Sequence, residues 1–124
     1  MNHILIVEDE RDLAVTYERL LRRAGHPVQA RRSRAEGLRC LAADPPRLVI
    51  ADLRLPDGDG LDVIRAARAL DPLLPVIVIT AFASRAAREA AVASGASAFL
   101  AKPFRTAEFA SLVESLLEQH PTQA

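Results

Sequence analysis

Four continuous apolar runs, Ile4 to Val7, Leu48 to Ala51, Val76 to Ile79 and Ala98 to Ala101, are spaced along the chain, and a weaker run spans Val28 to Arg31. Runs of this length that are apolar throughout, without alternation, read as strands buried on both faces, the habit of a parallel sheet. The segments between them have helical spacing. Leu13, Tyr17, Leu20, Leu21 and Ala24 recur until Gly25 and Pro27 end the first helix, and a short second helix from Ser33 to Ala43 turns Leu38 and Leu41 inward. Leu61, Ile64, Ala67 and Leu70 mark a third. Ser84 caps a fourth, rich in alanine and arginine, that closes at Gly95, and Phe109, Leu112, Val113, Leu116 and Leu117 line the last. Strict alternation of strand and helix predicts an α/β fold, a five-stranded parallel sheet covered on both faces by five helices with right-handed crossovers.

Where the apolar runs stop is as informative as where they lie. The first stops at Glu8 and Asp9, the third at Asp52, the fourth at Thr80 and the fifth at Lys102. If these are neighbouring parallel strands, three carboxylates, a hydroxyl and an ammonium converge on the carboxyl edge, where open α/β sheets bind ligands. A flavodoxin-like strand order of 2-1-3-4-5 puts the switch point between the first and third strands, which carry the three acids. Lys102 is the only lysine, every other basic position being arginine. A compact ammonium on a flexible stem is what such a site needs if the lysine is there for its charge, not for a planar fork.

The composition narrows the alternatives. With 124 residues the chain fits one domain with an ordinary core; we expect that domain over residues 1–120 and a polar tail over residues 121–124. Sixteen cationic and sixteen anionic side chains cancel, which disfavours direct binding to nucleic acid or to an anionic membrane surface. No apolar run approaches the roughly 18 residues of a membrane span, and Met1-Asn2-His3 lacks the basic start of a signal peptide, so the expected location is cytoplasmic. Cys40, the single cysteine, reads as a small buried hydrophobe on the second helix. His3, His26 and His120 lack metal-ligand spacing, and the run Arg31, Arg32, Arg34 reads as a solvated surface.

Four segments in order, Ile4-Leu5-Ile6-Val7-Glu8-Asp9-Glu10, Asp52-Leu53-Arg54-Leu55-Pro56-Asp57-Gly58-Asp59-Gly60, Ile79-Thr80-Ala81 and Phe99-Leu100-Ala101-Lys102-Pro103-Phe104, resemble the receiver domains of two-component response regulators over nearly the whole chain. The resemblance implies a flavodoxin-like fold and a phosphoacceptor switch, not a conventional enzyme. It makes Asp52 the phosphoacceptor and Glu8, Asp9, Asp52 and the backbone carbonyl of Arg54 the ligands of Mg²⁺. Thr80 and Lys102 would bind the phosphoryl group, Thr80 and Phe99 would form the switch, and the Lys102-Pro103 bond would be cis. Implied partners are a histidine kinase or histidine phosphotransfer protein as donor, and a second copy or an output domain engaged through the fourth helix, fifth strand and fifth helix. Ser97 and Ala98 stand where regulators that dimerise through charged pairs often carry acids, which argues against a dimer of that kind.

Phosphoryl chemistry suits these residue types. An aspartate is ionised at neutral pH and attacks phosphorus without a general base, which leaves positioning and charge neutralisation to the rest of the site. A hydrated, octahedral Mg²⁺ would offset repulsion among three carboxylates, and a lysine would neutralise charge on the group in transfer. Two rival readings use the same fold. A flavodoxin-like small-molecule binder would need a glycine- or hydroxyl-rich phosphate loop after Val7, where acids stand instead. A Mg²⁺-dependent phosphohydrolase with an aspartyl-phosphate intermediate would need a substrate cap, for which 124 residues leave little room.

Overall fold

The computed structural model describes residues 3–119. In chain order the elements are β1 (Ile4–Val7), α1 (Arg11–Arg23), β2 (Val28–Arg31), α2 (Arg34–Ala43), β3 (Leu48–Ala51), β4 (Arg54–Leu55), β5 (Gly58–Asp59), α3 (Leu61–Leu70), β6 (Val76–Thr80), α4 (Arg85–Ser94), β7 (Ala98–Ala101) and α5 (Thr106–Gln119). Five of the strands form one parallel sheet in the order β2-β1-β3-β6-β7, which is 2-1-3-4-5 counted within that sheet. The expected α/β sheet and its switch point between β1 and β3 are therefore present. The short antiparallel pair β4-β5 lies outside it and has no counterpart in the sequence reading.

Period-two side-chain direction divides the core. Ile4, Ile6, Ile50 and Ile77 face Tyr17 and Leu21 of α1 and Phe109, Val113, Leu116 and Leu117 of α5. Leu5, Val7, Val49 and Val78 face Leu41 of α2, Val63, Ile64 and Ala67 of α3, and Ala91 of α4. The helices are unequally held. Four large side chains are buried on α5, each worth about 1.5–3 kcal/mol, while the only buried residue of α4 is Ala91.

Local chemistry sets the element ends. Ser33 and Ser84 accept backbone hydrogen bonds from Glu36 and Ala87, satisfying helix-start N–H groups. Gly95 ends α4 at φ 111°, a conformation glycine adopts without steric cost. Gly60 is required by contact: a Cβ there would overlap the carbonyl oxygen of Asp52. Among the described residues no helix is long and apolar enough to cross a membrane. The expected polar tail over residues 121–124 lies outside the described residues, as does His120.

Three packing expectations need correction. Leu70 is 45 % exposed, and Leu74 from the following loop completes the core cluster in its place. Leu38 and Leu112 are only partly buried. Cys40 is half-buried, with its Sγ 3.5 Å from Gln29 Oε1, so it sits at the border of the core.

His3, at the opposite end of β1 from Glu8, is 6 % exposed, and its Nδ1 lies 3.8 Å from Asp44 Oδ2. Its Nε2 has no hydrogen-bond partner among the described residues. Burial lowers its pKa below the ordinary 6.5, with Asp44 opposing the shift. The unfolded chain therefore binds this proton more readily, so the stability His3 contributes is complete above 6.5 and is lost as pH falls through the lower folded value. Urea midpoints measured from about pH 7.5 to about pH 5.5 should decline more steeply in the native chain than in His3→Gln; equal slopes would rule the histidine out as the source.

Candidate functional site

Register brings the strand-end residues together. Val7 pairs with Ala51 and Ala51 with Val78, so Glu8, Asp52 and the last residues of β6 lie side by side, and Asp52 N donates to Val7 O at 3.1 Å. Thr80 pairs with Ala101, and Lys102 N donates to Thr80 O at 2.9 Å, which starts Lys102 back across the sheet edge. Its Nζ reaches both Glu8 Oε1 and Asp52 Oδ2 at 2.8 Å. The second oxygen of each carboxylate is held by backbone: Glu10 N donates to Glu8 Oε2 at 3.2 Å, and Arg54 N to Asp52 Oδ1 at 3.1 Å. Asp9 is exposed beside this buried pair.

Burial dominates the electrostatics of Glu8 and raises its pKa, against the hydrogen bond from Lys102. Burial also works against the charge of Lys102, but its hydrogen bonds to Asp52 and Glu8 prevail and hold its pKa above that of an ordinary lysine. Lys102 is thus a permanent ammonium. Three carboxylates therefore share this corner of the sheet with one ammonium.

That balance and the donor chemistry fit a divalent cation. Glu8, Asp9 and Asp52 each present one carboxylate oxygen within 4.8 Å of the other two. Carboxylate oxygens grouped this closely are the donor type that Mg²⁺ takes. Of the three, Asp9 is the exposed one and is not held by a side-chain hydrogen bond to Lys102, as Glu8 and Asp52 are.

The other expected residues take distinct places. Thr80 is fully buried, with its hydroxyl accepting from Phe82 N at 3.1 Å. Phe99 is half-buried on β7, and the Arg88 guanidinium of α4 lies 4.6 Å over its ring. Arg54, on β4, directs its guanidinium 3.6 Å over the ring of Phe82, closing one side of a groove of about 500 Å³ between the β4-β5 hairpin and α4. Phe82 is 49 % exposed. The Lys102-Pro103 peptide is cis. Neither described histidine joins the acidic cluster: His26 Nε2 lies 2.6 Å from Glu114 Oε1, and His3 is at the far end of β1.

Sequence reasoning missed several neighbours of the site. Tyr17 forms a three-ring cluster with Phe104 and Phe109, and burial pushes its hydroxyl up to about 12. The pairing of Arg88 with Phe99 joins residues with no shared sequence pattern. The run Arg31, Arg32, Arg34 is not simply solvated, because each arginine side chain donates a hydrogen bond within the protein.

Comparison with known proteins agrees with this arrangement. Residues 4–114 match the response regulator receiver domain family. The transcriptional regulatory protein PrrA of Mycobacterium tuberculosis is 36 % identical over 121 residues, covering 98 % of this chain and 52 % of PrrA. The chain thus spans about half the length of this relative. Among solved structures, a putative response regulator from Chloroflexus aurantiacus superposes with TM-score 0.87 at 33 % identity, covering 94 % of this chain and 98 % of that one. The receiver domain of the sensor histidine kinase PA1611 from Pseudomonas aeruginosa, which has a magnesium ion coordinated in its active-site cleft, superposes with TM-score 0.85 at 29 % identity, covering 94 % of this chain and 98 % of that one. Together with the strand order, the clustered acids and the lysine that joins two of them, these matches place the chain in the response regulator receiver domain family, the regulatory module of two-component signalling.

Proposed function

We propose that this domain is a cytoplasmic phosphoacceptor switch, loaded on Asp52 by a histidine kinase or histidine phosphotransfer protein. The observation that carries the reading is the Lys102 ammonium bridging Glu8 and Asp52 beside Asp9, three carboxylates gathered around one ammonium at the sheet edge. A carboxylate oxygen of Asp52 attacks the phosphorus of phosphohistidine. An O–P bond forms as the P–N bond breaks, and the imidazole leaves with a proton from solvent. Lys102 neutralises charge on the phosphoryl oxygens, and the Thr80 hydroxyl donates to one of them. Glu8, Asp9, Asp52 and the Arg54 carbonyl would hold Mg²⁺, which when bound supplies charge neutralisation and orientation. The magnesium site of the PA1611 receiver domain supports that assignment.

Phosphorylation exchanges the single negative charge of the Asp52 carboxylate for a phosphoryl group carrying about two, a net gain of about one negative charge, and sets three acceptor oxygens at one end of the sheet. Thr80 and Lys102 respond by turning to the phosphoryl oxygens, and the loop from Thr80 to Ser84 carries that motion into α4. Because α4 buries only Ala91, it shifts at small cost, and the Arg88–Phe99 contact links its position to the ring on β7. The altered surface of α4, β7 and α5 would then engage a second copy or an output domain.

Intact-mass measurement with a small phosphoramidate donor should show one phosphoryl group added only with Mg²⁺; single labelling that persists in Asp52→Asn would overturn the assignment. Lys102→Met should slow labelling by about 10²–10³-fold, as loss of one preorganised donor does.

Hydrogen exchange of the free and beryllofluoride-bound forms should differ most over Ser84 to Ser94. A response confined to α1 would mean that the switch surface lies elsewhere.

The Arg54–Phe82 stack screens the approach of water to a phosphorylated Asp52, and neither side chain offers a carboxylate or amide to orient it. Self-dephosphorylation should therefore take minutes, not seconds. The double variant Arg54→Asn, Phe82→Ala should shorten the lifetime by about tenfold, equivalent to about 1.4 kcal/mol. An unchanged decay rate at fixed Mg²⁺ would show that the stack does not gate water.

A further inference from the structure

The turn between β2 and α2 fastens two otherwise separate loops. On one side, Arg32 Nη2 donates to the backbone carbonyl of Asp9 at 3.3 Å. On the other, the two oxygens of Asp57 accept from Arg34 N and Ala35 N at 2.7 and 2.9 Å, and Arg34 Nε donates to Asp62 Oδ2 in the first turn of α3 at 2.8 Å. The Arg34 stem also lies against Gly58, where an added Cβ would stand 2.8 Å from Arg34 Cδ. Arg34 therefore grips the hairpin at its tip, through Asp57 and Gly58, and at its exit, through Asp62.

The hairpin needs such a grip. Its strands are two residues each and pair only with each other, and a lone hairpin is marginally stable in water. Within its own segment it is held by Gly60 N donating to Leu53 O at 2.8 Å and by burial of Leu55. The start of α2 already has a local cap in Ser33. Asp57 adds two further acceptors from more than twenty residues away, so its role exceeds capping. The backbone N–H groups of Ala35 and Arg34 that donate to its carboxylate hold its pKa below the usual aspartate range.

We propose that Asp57 and Arg34 are positioning residues for the divalent cation, joining the hairpin to the β2-α2 turn so that the Arg54 carbonyl and Asp9 address one site. The proposal rests on the metal assignment made under Proposed function. Groups that orient metal ligands without touching the ion are commonly worth 10- to 100-fold in metal affinity. Here the fastening is through backbone and loop, and an effect near the lower end is expected.

The test is an NMR titration with MgCl₂ of the native domain, Asp57→Ala, Asp57→Asn and Arg34→Gln, paired with urea denaturation of each without Mg²⁺. Asp57→Ala should bind Mg²⁺ about tenfold more weakly. Asp57→Asn should lose less, since an amide oxygen still accepts one of the two N–H groups, and Arg34→Gln should also weaken binding. Native-like Mg²⁺ affinity in Asp57→Ala and Arg34→Gln, with or without a lowered urea midpoint, would reduce the contacts to fold stability and overturn the proposal. Should Asp57→Ala fail to fold, Asp57→Asn and Arg34→Gln decide the same question. The native titration is read separately: no saturable Mg²⁺ binding there would remove the metal assignment and this proposal with it, whereas native binding with unaffected variants removes this proposal alone.

Discussion

The Lys102 ammonium, 2.8 Å from a carboxylate oxygen of Glu8 and of Asp52, ties together the ends of three strands that are far apart in sequence. All three side chains are largely withdrawn from water, at 13 %, 3 % and 9 % exposure. Removing one partner from such a group leaves an uncompensated buried charge, a loss of about 3–5 kcal/mol. The geometry is demanding, because β7 and β3 are separated by β6, two strand spacings or about 10 Å. Lys102 covers that span because its backbone N–H donates to Thr80 O, which turns the chain over the end of β6, and because its stem is long and flexible. An arginine at this position would bring a planar fork to two acceptors that lie on different strands.

From that point outward the structure becomes progressively looser. The β1 and β3 strands are buried on both faces and fix the two carboxylates that Lys102 joins. Opposite them, α5 is anchored by Phe109, Val113, Leu116 and Leu117, and α4 only by Ala91, supplemented at the surface by Arg88 over Phe99. Under the proposed switching, a charge change at this centre would act on the weakest contact around it. The same logic separates the site's two rims: β1 and β3 belong to the sheet, whereas the hairpin carrying Arg54 depends on Asp57, Arg34 and Gly60 for its place.

Much of this was legible in the sequence because it depends on periodicity and strand ends. Apolar runs without alternation gave the buried strands, serine and glycine marked the ends of α4, and the residues that end four of the runs lie together at one edge of the sheet. Expectations failed where geometry overruled period. Leu70 has the spacing of a core residue, yet Leu74 occupies the core instead. Cys40 and Leu38 sit at the border of the core and not within it. The basic run near Arg32 was read by charge alone, and charge does not reveal that backbone carbonyls and two acids lie within reach.

The sequence by itself determined the α/β class, the residue types at the sheet edge and the resemblance to receiver domains, since each is a local property of composition and spacing. The tertiary structure decided which of those residues touch. It joined Lys102 to Glu8 and Asp52, stacked Arg54 on Phe82 and Arg88 on Phe99, and fastened Asp57 to the start of α2. Such contacts depend on distances between side chains from separate elements, fixed by strand order and helix placement, and no local pattern in the chain encodes them.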